Sequence, residues 1–195
     1  MEIFVASKNK DKIEEIRRIL KNYNIKITSL LDIDEKIDII EDGKDLNENA
    51  LKKAEAVYKL KKGWVIGEDT GLEVNALNGK PGVFSARYSG GGYRENRLKL
   101  LKELEGVKDR TARFRTVIAL ITPEGKRYFF EGIVEGRIGE GEKGENGFGY
   151  DPIFIPEGSE KTFGEMEPEE KDKFSHRRKA LEKLAEFFRG VAQLV

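Results

Sequence analysis

Apolar residues recur at two spacings along this chain, and the alternation between them lays out its elements. Ile3-Phe4-Val5-Ala6 is a short apolar run that predicts a strand. After a polar bend at Ser7-Lys8-Asn9-Lys10, apolar Ile13, Ile16, Ile19 and Leu20 return every three or four residues, which predicts a helix over about residues 11–21. Ile25-Lys26-Ile27-Thr28 alternates with the period of a second strand. Leu46, Ala50, Ala54 and Val57 form the inner stripe of a helix reaching about Lys61, and Asp45, with Glu48 three residues on, is its expected N-cap. Trp64-Val65-Ile66 reads as a buried strand that runs out at Glu68-Asp69, with Gly71 beyond. Residues 93–105 read as a helix with Leu98, Leu101 and Leu104 inward. Residues 112–121 and Arg127–Ile138 read as long strands joined by Thr122-Pro123-Glu124-Gly125, a hairpin. Ile153-Phe154-Ile155 is a short strand, and Leu181, Leu184, Phe187 and Phe188 mark a last helix that Ser175 is placed to cap. Residues 30–40 show neither period, and residues 190–195 read as a loose tail.

Composition narrows the class. The 195 residues suffice for one substantial domain, residues 1–195, or two closely joined lobes. Charged residues reach 37%, above the ~25% of an average domain, but they balance at 36 basic and 36 acidic. No global field therefore favours nucleic acid or an anionic membrane, and neither is an expected partner. The absence of cysteine excludes disulfides, thiol catalysis and Cys-ligated zinc. No apolar run approaches the ~18 residues of a membrane span, and Met1-Glu2-Ile3 starts no signal peptide, so a cytoplasmic location is expected.

Three groups of residues carry candidate chemistry. Glu68 and Asp69, at the end of an apolar strand, put charge where water, metal or phosphate reaches it; an acidic turn after an edge strand is the plain alternative. Glu41 lies upstream, and Asn49 and Lys53, four apart, share one helix face. Carboxylates such as Glu41, Glu68 and Asp69 suit Mg²⁺, which takes oxygen ligands from a few acids, water and phosphate. The strand, bend and helix start at residues 3–12 aim backbone N–H groups at an anion, with Lys8 and Lys12 beside them. With Lys53 and Lys171 these lysines fit phosphates, although a solvated basic loop has the same pattern. Gly147-Phe148-Gly149-Tyr150-Asp151-Pro152 lets backbone approach a flat ligand, with Phe148 to stack on it and Arg177 to bond a base; a tight turn with a core Phe is the alternative. His176, the single histidine, falls in a helix first turn, where the positive helix end disfavours its protonated form. Gly139 to Gly144 fits G-x-G-x-x-G but opens no helix and carries acids, so a dinucleotide fold is rejected. The three groups together suggest a nucleoside triphosphate.

The same residues closely resemble the inosine/xanthosine triphosphate pyrophosphatases, over almost the whole chain. The resemblance lies in four blocks: Ser7-Lys8-Asn9-Lys10-Asp11-Lys12; Glu41-Asp42-Gly43 with Glu48-Asn49-Ala50-Leu51-Lys52-Lys53-Ala54; Glu68-Asp69-Thr70-Gly71-Leu72 through Ser85-Ala86-Arg87-Tyr88; and Gly147 to Pro152 with Thr162-Phe163-Gly164-Glu165, Lys171 and Ser175-His176-Arg177. It implies Mg²⁺-dependent hydrolysis of non-standard purine nucleoside triphosphates (ITP, dITP, XTP) to monophosphate and pyrophosphate. By the resemblance Ser7, Lys8, Asn9 and Lys12 hold the triphosphate, Glu41 and Asp69 bind Mg²⁺, and Asp69 also accepts the proton of the attacking water. Glu68 supports the metal, and Lys53 steadies phosphate or carboxylate. Asn49, Thr70, Arg87 and Lys171 fall on the substrate side. Phe148, Gly149, Tyr150 and Asp151 hold the base, while His176 and Arg177 read its edge. Glu68 and Thr70 stand where the family commonly has Asp and Ser, Asp45-Leu46 where it has Thr-Phe, and Arg178 where it has Gly, a long cation beside the base residues. The expected fold is α/β, a long mixed twisted sheet flanked by helices, in two lobes with the active-site cleft between them, as a homodimer. The open alternatives are a house-cleaning pyrophosphatase for pyrimidine or modified nucleotides and a non-catalytic nucleotide- or nucleic-acid-binding module.

Overall fold

The computed structural model describes residues 1–192, and its elements follow the apolar periods closely. Strand β1 (Glu2–Val5) leads into helix α1 (Lys10–Leu20), which buries the expected Ile13, Ile16, Ile19 and Leu20. Each such side chain stabilises by roughly 1.5–3 kcal/mol relative to exposure. After β2 (Lys26–Ser29) the chain runs through residues 30–43 without a helix or strand. Helix α2 (Leu46–Tyr58) starts at Asp45, whose Oδ1 accepts from the Glu48 N–H at 2.8 Å. Strand β3 (Trp64–Val74), helix α3 (Tyr93–Glu103) and the hairpin β4 (Thr111–Ile121) and β5 (Arg127–Ile138) come next. Strand β6 (Phe154–Pro156), the short α4 (Pro168–Asp172) and α5 (His176–Ala192) complete the described chain.

The six strands form one sheet in the order β2-β1-β3-β4-β5-β6. Strand β1 is parallel to both neighbours, with Val5 opposite Ser29 and Ile66, whereas β5 and β6 are antiparallel, with Arg137 opposite Ile155. The sheet is therefore mixed and flanked by helices, as the fold class requires. The chain divides into two compact units, Met1–Asp69 with Thr116–Gly132 and Arg177 onward, and Thr70–Arg115 with Ile133–His176. Each unit has its own core. The first packs Ile3, Val5, Ile16, Ile66, Ile118 and Leu184, with Trp64 edge-on to Phe188 at 5.0 Å. The second packs Leu72, Leu100, Phe114, Val134, Phe154 and Phe163, with the Phe114 and Phe154 rings 4.6 Å apart.

Three expectations change. Strand β3 does not run out at Asp69 but continues to Val74, because Leu72 and Val74 are needed in the second core; Glu68 and Asp69 are mid-strand and buried. Leu98 is exposed, because the inward face of α3 is the four-residue interval of Asn96 and Leu100, which Leu104 continues. Helix α5 extends through Gly190 to Ala192, so the first part of the expected tail is helical, and residues 193–195 lie outside the described ones.

Candidate active site

Helix α2 lies directly on β3 because residue 67 is glycine. A Cβ there would stand 2.0 Å from the Ala50 carbonyl oxygen and 2.7 Å from the Ala54 nitrogen, distances that packing forbids. This close approach sets the position of Lys53, whose ammonium donates to the Glu68 carbonyl oxygen at 3.1 Å and to Asp69 Oδ1 at 3.1 Å. The same ammonium contacts the Glu41 carboxylate. Asp69 is 8% exposed, and its second oxygen, Oδ2, is buried with no hydrogen-bond partner among the described residues. Asn49, one turn before Lys53, accepts the Gly43 N–H on Oδ1 at 2.8 Å and so ties down the loop that carries Glu41.

Glu68 is 2% exposed and faces two cations, with Lys12 Nζ 3.5 Å from Oε2 and Arg177 NH2 3.4 Å from Oε1. Arg177 also contacts Glu15 through NH1. These charges act on each other at close quarters. Burial pushes the Lys12 ammonium below its ordinary range despite Glu68. Burial also acts to lower Lys53, but Asp69 and Glu41 beside it outweigh this and raise it. Burial raises the Asp69 carboxyl above the usual carboxylate range despite Lys53 and Lys12. For Arg177 the opposing carboxylates Glu68 and Glu15 outweigh burial, which secures its charge.

The loop expected on the phosphate side is held by its own side chains. Ser7 Oγ accepts the Asn9 N–H at 3.0 Å, and Asn9, the N-cap of α1, accepts the Lys12 N–H at 3.1 Å. Lys8 is exposed there, whereas Lys12 turns inward.

Of the residues expected on the base side, all but Arg177 belong to the second unit. Asp151, 3% exposed, pairs with Lys171 Nζ at 2.8 Å and accepts the Phe148 N–H at 3.0 Å. Gly147 has φ +70°, and a Cβ on it would stand 2.0 Å from Asp151 Oδ2, so only glycine permits this turn. The Lys171 ammonium lies 5.3 Å from the Phe148 ring centroid, and the Tyr93 ring lies 5.9 Å from it. His176 stacks on Phe114 with centroids 4.7 Å apart. Gly149 contributes a carbonyl that accepts from Arg97 at 2.7 Å. Thr70 is half-buried on β3, and the exposed Arg87 ends the 3₁₀ turn Gly82–Arg87 with its guanidinium 5.2 Å from the Phe84 ring.

Two placements differ from the grouping made on the sequence. Lys171, grouped there with the phosphate lysines, sits with Asp151 and Phe148, because a buried ammonium needs a buried anion. Arg177, grouped there with Phe148 as the cation to bond a base, pairs with the acids Glu15 and Glu68 for the same reason. Tyr150 serves the core of the second unit: it is buried, and its hydroxyl donates to the Ser85 carbonyl at 2.7 Å. Arg178 pairs with Glu182 at 2.7 Å along α5. Sequence reading passed over Gly67, Glu15, Arg97 and Asn96. Asn96 accepts the Ser89 N–H at 2.8 Å and donates to the Ala86 carbonyl at 3.2 Å, bracing the turn that carries Arg87. Its position on the buried interval of α3 is the signal that could have found it.

The residues present fit Mg²⁺. No group of three or more His, Cys, Asp or Glu side chains fit to hold a metal ion occurs among the described residues. Mg²⁺ does not require one, since it keeps several waters and binds through one or two carboxylates plus substrate phosphates. Glu41 and Asp69 both reach the Lys53 ammonium, and Asp69 has a buried oxygen to spare.

Comparison with known proteins identifies the family. Residues 3–187 match the sequence profile of the Ham1 family. A dITP/XTP pyrophosphatase of Desulfotalea psychrophila is 48% identical over 181 residues, covering 92% of this chain and 81% of its own. A dITP/XTP pyrophosphatase of Caldanaerobacter subterraneus subsp. tengcongensis is 47% identical over 192 residues, 96% of each chain. Among solved structures, the Ham1 protein of Staphylococcus aureus is 40% identical with a TM-score of 0.87, covering 97% of this chain and 99% of that one.

Proposed function

This chain belongs to the Ham1 family, and on that premise we propose that it is a Mg²⁺-dependent pyrophosphatase of non-standard purine nucleoside triphosphates. It would cleanse the nucleotide pool by hydrolysing dITP, ITP and XTP to the monophosphate and pyrophosphate. The observation that carries this reading is the buried Lys53 ammonium shared by Glu41 and Asp69, beside an Asp69 oxygen with no hydrogen-bond partner among the described residues. In this reading Asp69 takes a proton from water, whose oxygen attacks the α-phosphorus and breaks the α–β anhydride. Lys12 and Lys53 offset the charge of the departing pyrophosphate. Mg²⁺, when bound by Glu41 and Asp69, would neutralise phosphate charge. Glu68, held between Lys12 and Arg177, keeps that charged layer in register.

On the base side, Phe148 supplies a stacking face, and Lys171, His176 and the Asp151 turn line its edge. Donors facing purine position 6 favour an oxo group over the amino group of adenine, a mismatch worth up to ~10⁴-fold. No helix among the described residues is long and apolar enough to cross a membrane; family resemblance supports a cytoplasmic homodimer, for whose assembly light scattering is the check. The deciding experiment is a panel of triphosphates with and without Mg²⁺, read by pyrophosphate release. Orthophosphate as the sole product, or dTTP or UTP preferred by a wide margin, would sink the proposal.

A further inference from the structure

We propose that Asn49 is a positioning residue for Glu41, acting through the hydrogen bond from the Gly43 N–H to its side-chain oxygen. The inference rests on the reading of Glu41 as a metal ligand and adds what sets the reach of that ligand. Residues 38–43 form neither helix nor strand, so no regular backbone pattern holds Glu41 in place. Asn49, 1% exposed on α2, accepts from Gly43 at 2.8 Å. A backbone N–H can only donate, so the oxygen end of the amide must face the loop. The NH₂ end is buried with no hydrogen-bond partner among the described residues. A role in packing alone would be met better by an apolar side chain, which strands no buried donor. Gly43 is matched to the contact: a Cβ there would lie 2.5 Å from Asn49 Oδ1. One turn further along α2, Lys53 contacts the Glu41 carboxylate itself. The helix thus grips the loop at three points, through Asn49 on the Gly43 backbone, Lys52 on Asp42 and Lys53 on Glu41 itself, and Gly67 seats the same helix on the strand that carries Asp69.

The test uses the full-length protein with Mn²⁺ as a paramagnetic substitute for Mg²⁺, bound Mn²⁺ being read by electron paramagnetic resonance and folding by thermal melting. Asn49→Ala and Gly43→Ala should each weaken Mn²⁺ binding about ten- to hundredfold, the usual cost of losing an outer support of a metal ligand. The double variant should be no weaker than the poorer single, because both disturb the same contact: Asn49→Ala removes its acceptor, and the methyl of Gly43→Ala pushes its donor away. Should Asn49→Ala fail to fold, Gly43→Ala alone decides. Mn²⁺ affinity within twofold of wild type in the folded variants, while Glu41→Gln loses binding, overturns the inference and leaves the metal reading standing, and additive losses overturn it as well. Wild-type protein that binds no Mn²⁺ overturns the metal reading and this inference with it.

Discussion

Lys53 Nζ stands 3.1 Å from Asp69 Oδ1 and contacts the Glu41 carboxylate as well, so one buried ammonium holds both proposed metal ligands. Removing it takes the ammonium from the buried Asp69 and from the partly exposed Glu41. Lys53→Met should cost on the order of 3–5 kcal/mol of stability, the usual penalty for breaking a buried pair, and should abolish most activity. Asp69→Asn should fold, with kcat lowered about 10²–10⁴-fold as expected for a lost general base. Urea unfolding and steady-state pyrophosphate release check both; a kcat within threefold of wild type in either variant would remove that residue from the chemistry.

Gly67→Ala tests the seating of α2. The added methyl meets the Ala50 carbonyl at 2.0 Å, which is backbone and cannot swing away. Overpacking of this kind costs roughly 1–3 kcal/mol or more. Shifting α2 also moves Lys53, so kcat should fall together with the unfolding midpoint. A variant as stable and as active as wild type would contradict the packing described.

The buried pair Asp151 and Lys171 should behave as a unit. Each single replacement, Asp151→Asn or Lys171→Met, removes one half of this buried ion pair, and each should destabilise and raise KM for dITP. The double variant should lose less than the sum of the two single losses, because both remove the same ion pair. A double-mutant cycle on unfolding free energy and KM reads this, and simple additivity would contradict it.

Asp32 gives the fold a dependence on pH. Its carboxylate accepts from the Ser29 N–H at 2.7 Å, the Ser29 hydroxyl at 3.0 Å and Arg17 at 2.7 Å. The backbone and side-chain bonds from Ser29, then Arg17, hold it below the usual carboxylate range. A depressed folded value contributes stability above the unfolded value of about 3.9, and that stability is lost as pH falls through the folded value. Asp32→Asn should therefore be slightly less stable than wild type at pH 7, by an amount kept small by solvent screening. The gap should close as acid protonates the native carboxylate. Urea unfolding at several pH values measures it, and a deficit that stays constant would rule out ionisation as its source.

Most of the fold is legible in the chain because apolar spacing is a local property: Ile13, Ile16, Ile19 and Leu20 announce α1, and Asp45 announces α2. The course of β3 was harder to read. Two adjacent acids look like a strand end, and only the long-range arrival of Lys53 and Lys12 explains why they tolerate burial there. The site shows the same divide. Glu41, Lys53 and Asp69 come together as their motifs imply, yet the partners of Arg177 and Lys171 depend on which buried anion each cation meets, and spacing along the chain does not encode that. Gly67 went unnoticed because the helix it accommodates arrives from elsewhere in the sequence.

The interleaving of the two cores has a consequence for how the protein is inherited and dissected. The first core is gathered from three stretches of chain and the second from two, with β3, β4 and β5 each supplying residues to both. Neither core corresponds to a continuous fragment, so neither could be excised, exchanged or duplicated by a single cut or fusion. The acid and lysine layer of one core and the Asp151 turn of the other therefore travel together as a single heritable piece.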